Sequence, residues 1–323
     1  MSKKIHAIVL QDHVTGHSKL SMAVANFLDA KVTAVPVAYT NWAKLPNGLP
    51  ISTKKRFQYT LPKMTENRVV LISAGRRLAM LNLSLKEKLT QAGKAVFSLQ
   101  LLDPQYKNKQ YDVLAVPQHD GLTGNNVIQF LINPGLESNP KETKDSYTNL
   151  PKPRTALLIG GSHKGGMLTQ NMAADLAKEL MKFRTKESGS FLFTSSRRTG
   201  RDIEDIIVEH LNPEETYIAS RPACKNPYAH YLASSDILVV SGESISMLSE
   251  SVATGKPVFI YMPPALVSGK HLSFCQTLIS QGLAFPLNKL KNYQSLRPGK
   301  AKTFLAKFSS DICGAVDNFF KIS

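Results

Sequence analysis

Residues 241–250, SGESISMLSE, place small residues and a carboxylate around the start of a helical pattern. Ser241, Gly242 and Ser244 have little or no side-chain bulk, so backbone N–H groups at the helix start can approach a bound group closely. A helix N-terminus favours an anion, and phosphate is the natural candidate. Ser246, Ser249 and Glu250 follow at i, i+3 and i+4, a stripe away from Leu248 and Val252. A carboxylate one turn past a phosphate site is suited to accept two hydroxyl hydrogen bonds from a ribose. The competing reading is a tight turn before an ordinary helix with one solvated glutamate.

Other polar groups sit where strand patterns end. After IHAIVL (5–10) comes Gln11-Asp12-His13-Val14-Thr15-Gly16-His17-Ser18, in which His17 and Asp12 are the candidate general bases. Arg76 and Arg77 follow the run Val69 to Ser73 and a glycine, well placed to clamp an anion. His119, Asp120 and Gly121 end the strand pattern at Val113 to Val116. The glycine-rich loop Gly160-Gly161-Ser162-His163-Lys164-Gly165-Gly166 follows Thr155 to Ile159. It is neither GxGxxG nor GxxxxGKS, which leaves a backbone surface open to phosphate or sugar, with Lys164 as counter-charge. Arg197 and Arg198, after Phe191 to Thr194, make a second anion clamp. For each group, a merely solvated surface residue is the alternative.

The elements that must position these groups alternate strand and helix. Asp236 to Val240 reads as a buried strand, Ile245, Leu248 and Val252 as a helix face stopped by Gly255 and Pro257, and Val258 to Met262 as the next strand. Such a crossover makes its strands parallel. Leu20 to Leu28, Met167 to Phe183 and Ser268 to Gln281 read as helices, and Val32 to Val37 and Ala95 to Leu102 as strands. Trp42 to Pro62 reads as an irregular loop that carries Lys54-Lys55-Arg56 beside Phe57 and Tyr59, suited to an acceptor, a membrane face or plain solvent. Residues 134–153 hold four prolines and many charges without periodicity, an interdomain linker. The expected fold is α/β, two Rossmann-like doubly wound domains facing a central cleft: 1–150 on the acceptor side and 151–323 on the donor side. The tail, with Phe304, Phe308, Ile312, Val316 and Phe320 at spacings of four, reads as an amphipathic helix that packs on a domain, the N-terminal one included.

Composition limits the function classes. The chain has 323 residues, 42% of them hydrophobic and 20% charged, which suits two globular domains and excludes a disordered chain. No apolar run approaches a bilayer span, and MSKKIHAIVL lacks a signal-peptide cleavage region, so a cytoplasmic protein is expected, free or peripheral on the inner membrane face. Cys224, Cys275 and Cys313 lie far apart, supporting neither a disulfide framework nor a zinc site. The net charge of +16 is spread over both halves, with 19 Lys+Arg against 10 Asp+Glu in residues 1–150. Anionic lipid and polyphosphate ligands fit this as well as RNA does, and aromatics are not interleaved with basic residues as in RNA-binding modules, so nucleic acid ranks last.

The runs ALLIGGSHKGG, TQNMAADLAKEL and SGESISMLSESVATGKPVFI resemble the donor-domain motifs of glycosyltransferases with the two-Rossmann-domain (GT-B) architecture, in particular the transferase acting on the peptidoglycan lipid precursor. The chain is still more similar to the family named for the plant mitochondrial-fission (elongated mitochondria) protein. That resemblance takes in Asp12 with Thr15-Gly16-His17, Ala74 to Arg77, Pro117 to Gly121, Gly160 to Ser162, Ser195 to Thr199 and Ser241 to Pro257. It implies a nucleotide-sugar donor in the C-terminal domain. Gly160, Gly161, Ser162, Ser241, Gly242 and Ser244 would lie near the diphosphate, Lys164, Arg197 or Arg198 would balance charge, Glu250 would take the ribose hydroxyls, and Ser246 would also belong to the donor site. Thr15, Gly16, Arg76, Arg77, His119 and Asp120 would meet an unidentified acceptor, lipid-linked or from the envelope, with His17 or Asp12 as base. No bound metal or other cofactor is implied. Thr15-Gly16-His17 has one glycine fewer than the Gly-Gly-His of the lipid-precursor transferase. An inactive membrane-associated recruiting protein and a nucleotide-sugar epimerase are the alternatives on the same architecture.

Overall fold

The computed structural model describes residues 5–45, 52–136 and 145–322. It has two compact units: one comprises the chain up to Glu137 together with Lys302 onward, the other Ser138 to Ala301.

In the first unit the elements are β1 (Ile5–Gln11), α1 (Thr15–Ala25), β2 (Ala30–Pro36), β3 (Ala38–Tyr39), α2 (Thr53–Arg56), β4 (Phe57–Gln58), β5 (Arg68–Ala74), α3 (Gly75–Gln91), β6 (Ala95–Leu101), β7 (Val113–Pro117) and β8 (Val127–Phe130). The main sheet runs β2-β1-β5-β6-β7-β8, and every pairing in it is parallel. Its near-continuous aliphatic strands are buried on both faces, as a parallel sheet flanked by helices requires. Ala7 and Val9 pack in one core with Leu20 and Val24 of α1, whereas Ile8 and Leu10 pack in the other with Leu78, Leu81 and Leu85 of α3. That split follows the two-residue alternation of a strand.

The second unit contains β9 (Arg154–Gly161), α4 (Gln170–Glu187), β10 (Ser190–Arg198), α5 (Arg201–Leu211), β11 (Glu215–Tyr217), α6 (Tyr228–Ser234), β12 (Ile237–Ser241), α7 (Ile245–Ala253), β13 (Val258–Tyr261), α8 (Gly269–Ser280) and β14 (Phe285–Pro286). Its sheet order is β11-β10-β9-β12-β13-β14, again all parallel. Both units are doubly wound. Strand order reverses between β1 and β5 in one and between β9 and β12 in the other, and such reversals open a crevice at the carboxyl ends of the strands.

The last helix, α9 (Ala301–Ile322), inserts Phe308, Ile312, Val316 and Phe320 into the α1-side core of the first unit. Phe308 meets Phe130 at 5.3 Å and Phe27 at 6.1 Å between ring centroids. Arg68 donates to the Phe320 carbonyl at 2.7 Å.

Several local expectations change. Helix α1 begins at Thr15, not Leu20, so Gly16 and His17 occupy a first helical turn and not a loop. Strand β9 extends through Gly161 and β10 through Arg198, because the two strands keep pairing past a bulge that joins Arg198 to Gly161. Strand β8 carried no clear signal, since its sequence VIQF is short and follows a polar turn. Residues 46–51 of the basic-aromatic loop and 137–144 of the proline-rich stretch lie outside the described residues.

At the amino ends of β1 and β2, buried His6 shares Nδ1 with the Glu66 carboxylate (3.2 Å) and Nε2 with the Thr33 hydroxyl (2.8 Å). Burial lowers the His6 pKa, and its own backbone N–H first, then Thr65, Lys31 and His6, hold Glu66 down at about 2. Both folded-state values lie below the ordinary 6.5 and 4.5, so their contributions are complete above those values and are lost on acidification. Denaturation midpoints of the first unit should therefore fall as pH drops below 6.5 and again from 4.5 toward 2. Glu66→Gln should flatten the lower limb; an unchanged slope in urea titrations would refute this. Separately, Phe308→Ala should cost about 3–5 kcal/mol in the first unit's unfolding transition.

Candidate functional site

At the β9–β12 reversal the small residues are there to let strand ends meet. Gly161 has φ +112°, and a Cβ there would lie 2.4 Å from the Arg198 carbonyl oxygen. Only glycine allows that approach. Thr199 Oγ1 donates toward the Gly160 carbonyl (3.0 Å) and accepts from the Ser196 N–H (2.9 Å), fixing the end of β10 against β9. Arg197 and Arg198 stand exposed at that same edge.

The amides expected to cradle a phosphate are largely engaged. Gly160 N–H donates to Ser241 Oγ (2.8 Å), Gly161 N–H to Glu243 Oε1 (2.6 Å), Gly242 N–H to the Tyr261 carbonyl (2.8 Å) and Ser244 N–H to the Ser241 carbonyl (3.3 Å). The open donors of this edge are the first-turn amides of α7, beginning at Ile245. The expectation that Gly160 and Gly161 offer free donors is thereby corrected. The cause is Glu243, which sequence reasoning passed over although it stands between two of the chosen residues. Its carboxyl is buried, and desolvation raises its pKa.

Ser162 Oγ accepts from the Leu168 N–H at 3.0 Å, and Lys164 is exposed in the tight His163–Gly166 turn. On α7, Ser246 is exposed, Ser249 is buried and Glu250 is half-buried, so Ser249 leaves the proposed polar stripe. Beside Glu250 lies Tyr228, whose hydroxyl is buried; burial first and the Glu250 carboxylate second push the phenol's pKa up. The neighbouring phenol, unforeseen from sequence, stays protonated and stands beside the Glu250 carboxyl.

In the first unit, Asp12 lies at the end of β1. Its Oδ1 accepts from the Val14 N–H (3.0 Å) and its Oδ2 from the Tyr39 hydroxyl (2.8 Å), with His17 Nδ1 at 3.4 Å. The Asp12 side chain is 2% exposed and that of His17 29%. Both carboxylate oxygens already accept hydrogen bonds, so the arrangement suits Asp12 to positioning His17 more than to serving as base. It leaves the His17 imidazole partly accessible, with Nε2 outward from this contact. The His17 ring lies over Gly75, the first residue of α3, which has φ +76°. Arg77 sits 5.5 Å from the Tyr39 ring centroid, and Arg76 donates to Gln105 Oε1 at 3.0 Å. A pocket of about 670 Å³ opens here, lined in part by Asp12, His13, Tyr39, Asn41 and Arg77. Thr15 and Gly16 are exposed in the first turn of α1 beside it. His119 and Asp120 share the sheet edge at the end of β7, but β6 separates that strand from β5, so they stand apart from the His17 cluster.

Among the described residues, no group of three or more His, Cys, Asp or Glu is arranged to hold a metal ion, and no helix is long and apolar enough to cross a membrane.

The sequence signature described as Mitochondrial fission ELM1 matches residues 15–303. The chain belongs to that family. Among relatives, the uncharacterized protein RP120 of Rickettsia prowazekii (strain Madrid E) is 27% identical, over 94% of this chain and 98% of its own length. The mitochondrial fission protein ELM1 of Arabidopsis thaliana is 24% identical over 59% of this chain, which spans about half of the plant protein (51%). Among solved structures, a candidate UDP-N-acetylglucosamine 2-epimerase from Listeria monocytogenes is similar in fold, with a TM-score of 0.52 at 12% identity over 96% of this chain and 90% of that one. This family member thus has a GT-B-like α/β fold of two Rossmann-like units, as that structure does.

The placement of His17 over Gly75 gives a paired expectation. A Cβ on Gly75 would lie 2.5 Å from His17 Cε1, whereas one on Gly16 meets nothing within 4 Å. Gly75→Ala should destabilise the first unit by about 1–3 kcal/mol and displace the His17 imidazole resonances. Gly16→Ala should leave both nearly unchanged or add about 0.4–1 kcal/mol. Equal effects at the two sites in denaturation and NMR spectra would contradict the stacking.

Proposed function

We propose that the protein is a GT-B-type glycosyltransferase that moves a sugar from a nucleotide-sugar donor to a hydroxyl acceptor. The carrying observation is the gathering of Arg197, Arg198 and the open first turn of α7 at one strand reversal, with Glu250 one turn further along the helix. Arginine and first-turn amides suit a diphosphate, and the Glu250 carboxylate, beside the Tyr228 phenol, suits the hydroxyls of a ribose. In the reaction, His17 takes the proton of the acceptor hydroxyl. The oxygen bonds to the anomeric carbon while the anomeric carbon–phosphate oxygen bond breaks, and the leaving nucleoside diphosphate is stabilised by arginine and N–H donors. Arg77 and the pocket beside Tyr39 would receive an acceptor, lipid-linked acceptors included. His119 and Asp120 would act only at an extended acceptor's far end. The chemistry calls for no resident metal or other cofactor.

Likeness in fold to a candidate epimerase supports a second reading, in which the sugar is inverted while still attached to the nucleotide. The family's mitochondrial-fission description leaves room for a third, a catalytically inactive membrane-associated recruiting protein, for which Trp42, 52% exposed on the first unit, would suit a membrane surface.

Calorimetric titration with UDP-, GDP-, ADP- and CMP-sugars tests the donor site. One series should bind, and Glu250→Ala should weaken it by about tenfold or more, the worth of hydrogen bonds to a charged group. Absence of heat from every donor would remove both enzymatic readings. Sugar inversion without acceptor would favour the epimerase. Flotation with anionic liposomes that persists in His17→Ala, in the absence of donor binding, would favour the recruiter.

A further inference from the structure

Glu243 does more than close a turn. The residue is 2% exposed, and its Oε1 accepts from both Gly161 N–H (2.6 Å) and the Ser241 hydroxyl (2.9 Å). The Ser241 oxygen accepts in turn from Gly160 N–H (2.8 Å). A Cβ on Gly160 would lie 2.1 Å from Oε1, so the carboxylate uses space that only glycine leaves. The second oxygen, Oε2, is buried with no hydrogen-bond partner. No lysine or arginine nitrogen lies within 4.0 Å of the carboxylate among the described residues; the Arg198 charge acts on it from farther away. Cys275 lies behind the loop, with Sγ 3.3 Å from the Gly242 carbonyl oxygen.

This is the place in a doubly wound sheet where backbone donors ordinarily meet a ligand. Here an internal oxyanion already has the donors. A half-satisfied buried carboxylate is costly, and a brace alone would be served by a neutral acceptor of the same shape. When ionised, the carboxyl adds negative charge in a low-dielectric seat, which acts against any second anion there.

We propose that Glu243 is a specificity-determining residue: its carboxylate fills the oxyanion seat of the β9–β12 crevice and bars a phosphate group from the Gly160–Gly161 turn. Resting on the nucleotide-sugar reading, this confines the donor's diphosphate to the first turn of α7 and the Arg197–Arg198 edge, and leaves to the crevice mouth only uncharged parts of the ligand.

The test is calorimetric titration of the full chain with inorganic pyrophosphate, comparing wild type with Glu243→Gln and Glu243→Ala, folding being checked by thermal unfolding. Glutamine keeps an acceptor for Gly161 N–H and the Ser241 hydroxyl and removes only charge; alanine also empties the seat. The expected result is pyrophosphate binding about tenfold or more tighter in the alanine variant, the worth of charge-assisted hydrogen bonds regained. A gain in glutamine as well assigns the exclusion to charge, and a gain in alanine alone assigns it to filled space; both support the proposal. If alanine does not fold, Glu243→Ser, which also empties the seat, takes its place. Unchanged or weaker pyrophosphate binding in the folded variants overturns it, making Glu243 a brace for the loop. Because the probe carries neither sugar nor base, a gain here with no donor binding in wild type would sink the transferase reading and leave this one standing.

Discussion

The C-terminal unit depends on one buried contact, the Glu243 carboxylate held by Gly161 N–H and the Ser241 hydroxyl. It ties the ends of β9 and β12, the two strands between which the sheet changes direction. The glycines of the first strand end follow from it: Gly160 leaves room for the carboxylate, and Gly161 lets β10 come close enough for Arg198 to continue the ladder. The arginines project from the edge of the sheet because the ladder extends that far. A polar network this deep is worth having only when nearly every member is satisfied. Here a single oxygen is not.

The N-terminal unit solves a related problem in another way. Its reversal point, between β1 and β5, is also closed by a carboxylate, Asp12, but that side chain accepts from one backbone N–H and one phenol and turns a histidine outward. Burial pushes the Tyr39 phenol's pKa up, and the Asp12 bond adds to the shift, so the phenol stays a donor. The two units share a winding pattern yet present different chemistry at the same topological position: an occupied oxyanion seat in one, a supported imidazole in the other. Fold alone does not fix function, and here even the same unit of fold, used twice, does not.

The sequence by itself determined the winding. Runs such as IHAIVL and ILVV, apolar without alternation and separated by helical spacing, admit only a parallel sheet covered on both faces, and they gave the core strands to within a residue or two. It also determined which loops carry polar groups, since residues at the carboxyl ends of parallel strands share one edge whatever the strand order. Strand β8 and the extensions of β9 and β10 were not legible, because short strands and bulges are set by the neighbour they pair with and not by their own composition.

Only the tertiary structure decided what each polar residue touches. Asp12 and His17 were equal candidates in sequence; the Tyr39 hydroxyl, brought from β3, buries one and leaves the other accessible. Glu250 stood in sequence as a lone helix carboxylate, and Tyr228, 22 residues earlier in the chain, reaches it only through the packing of α6. Gly160 and Gly161 looked like open donors until Glu243 was seen to claim them. The reason is common to all three: a hydrogen-bonding group's availability depends on which partners arrive from distant parts of the chain, and local spacing carries no record of them.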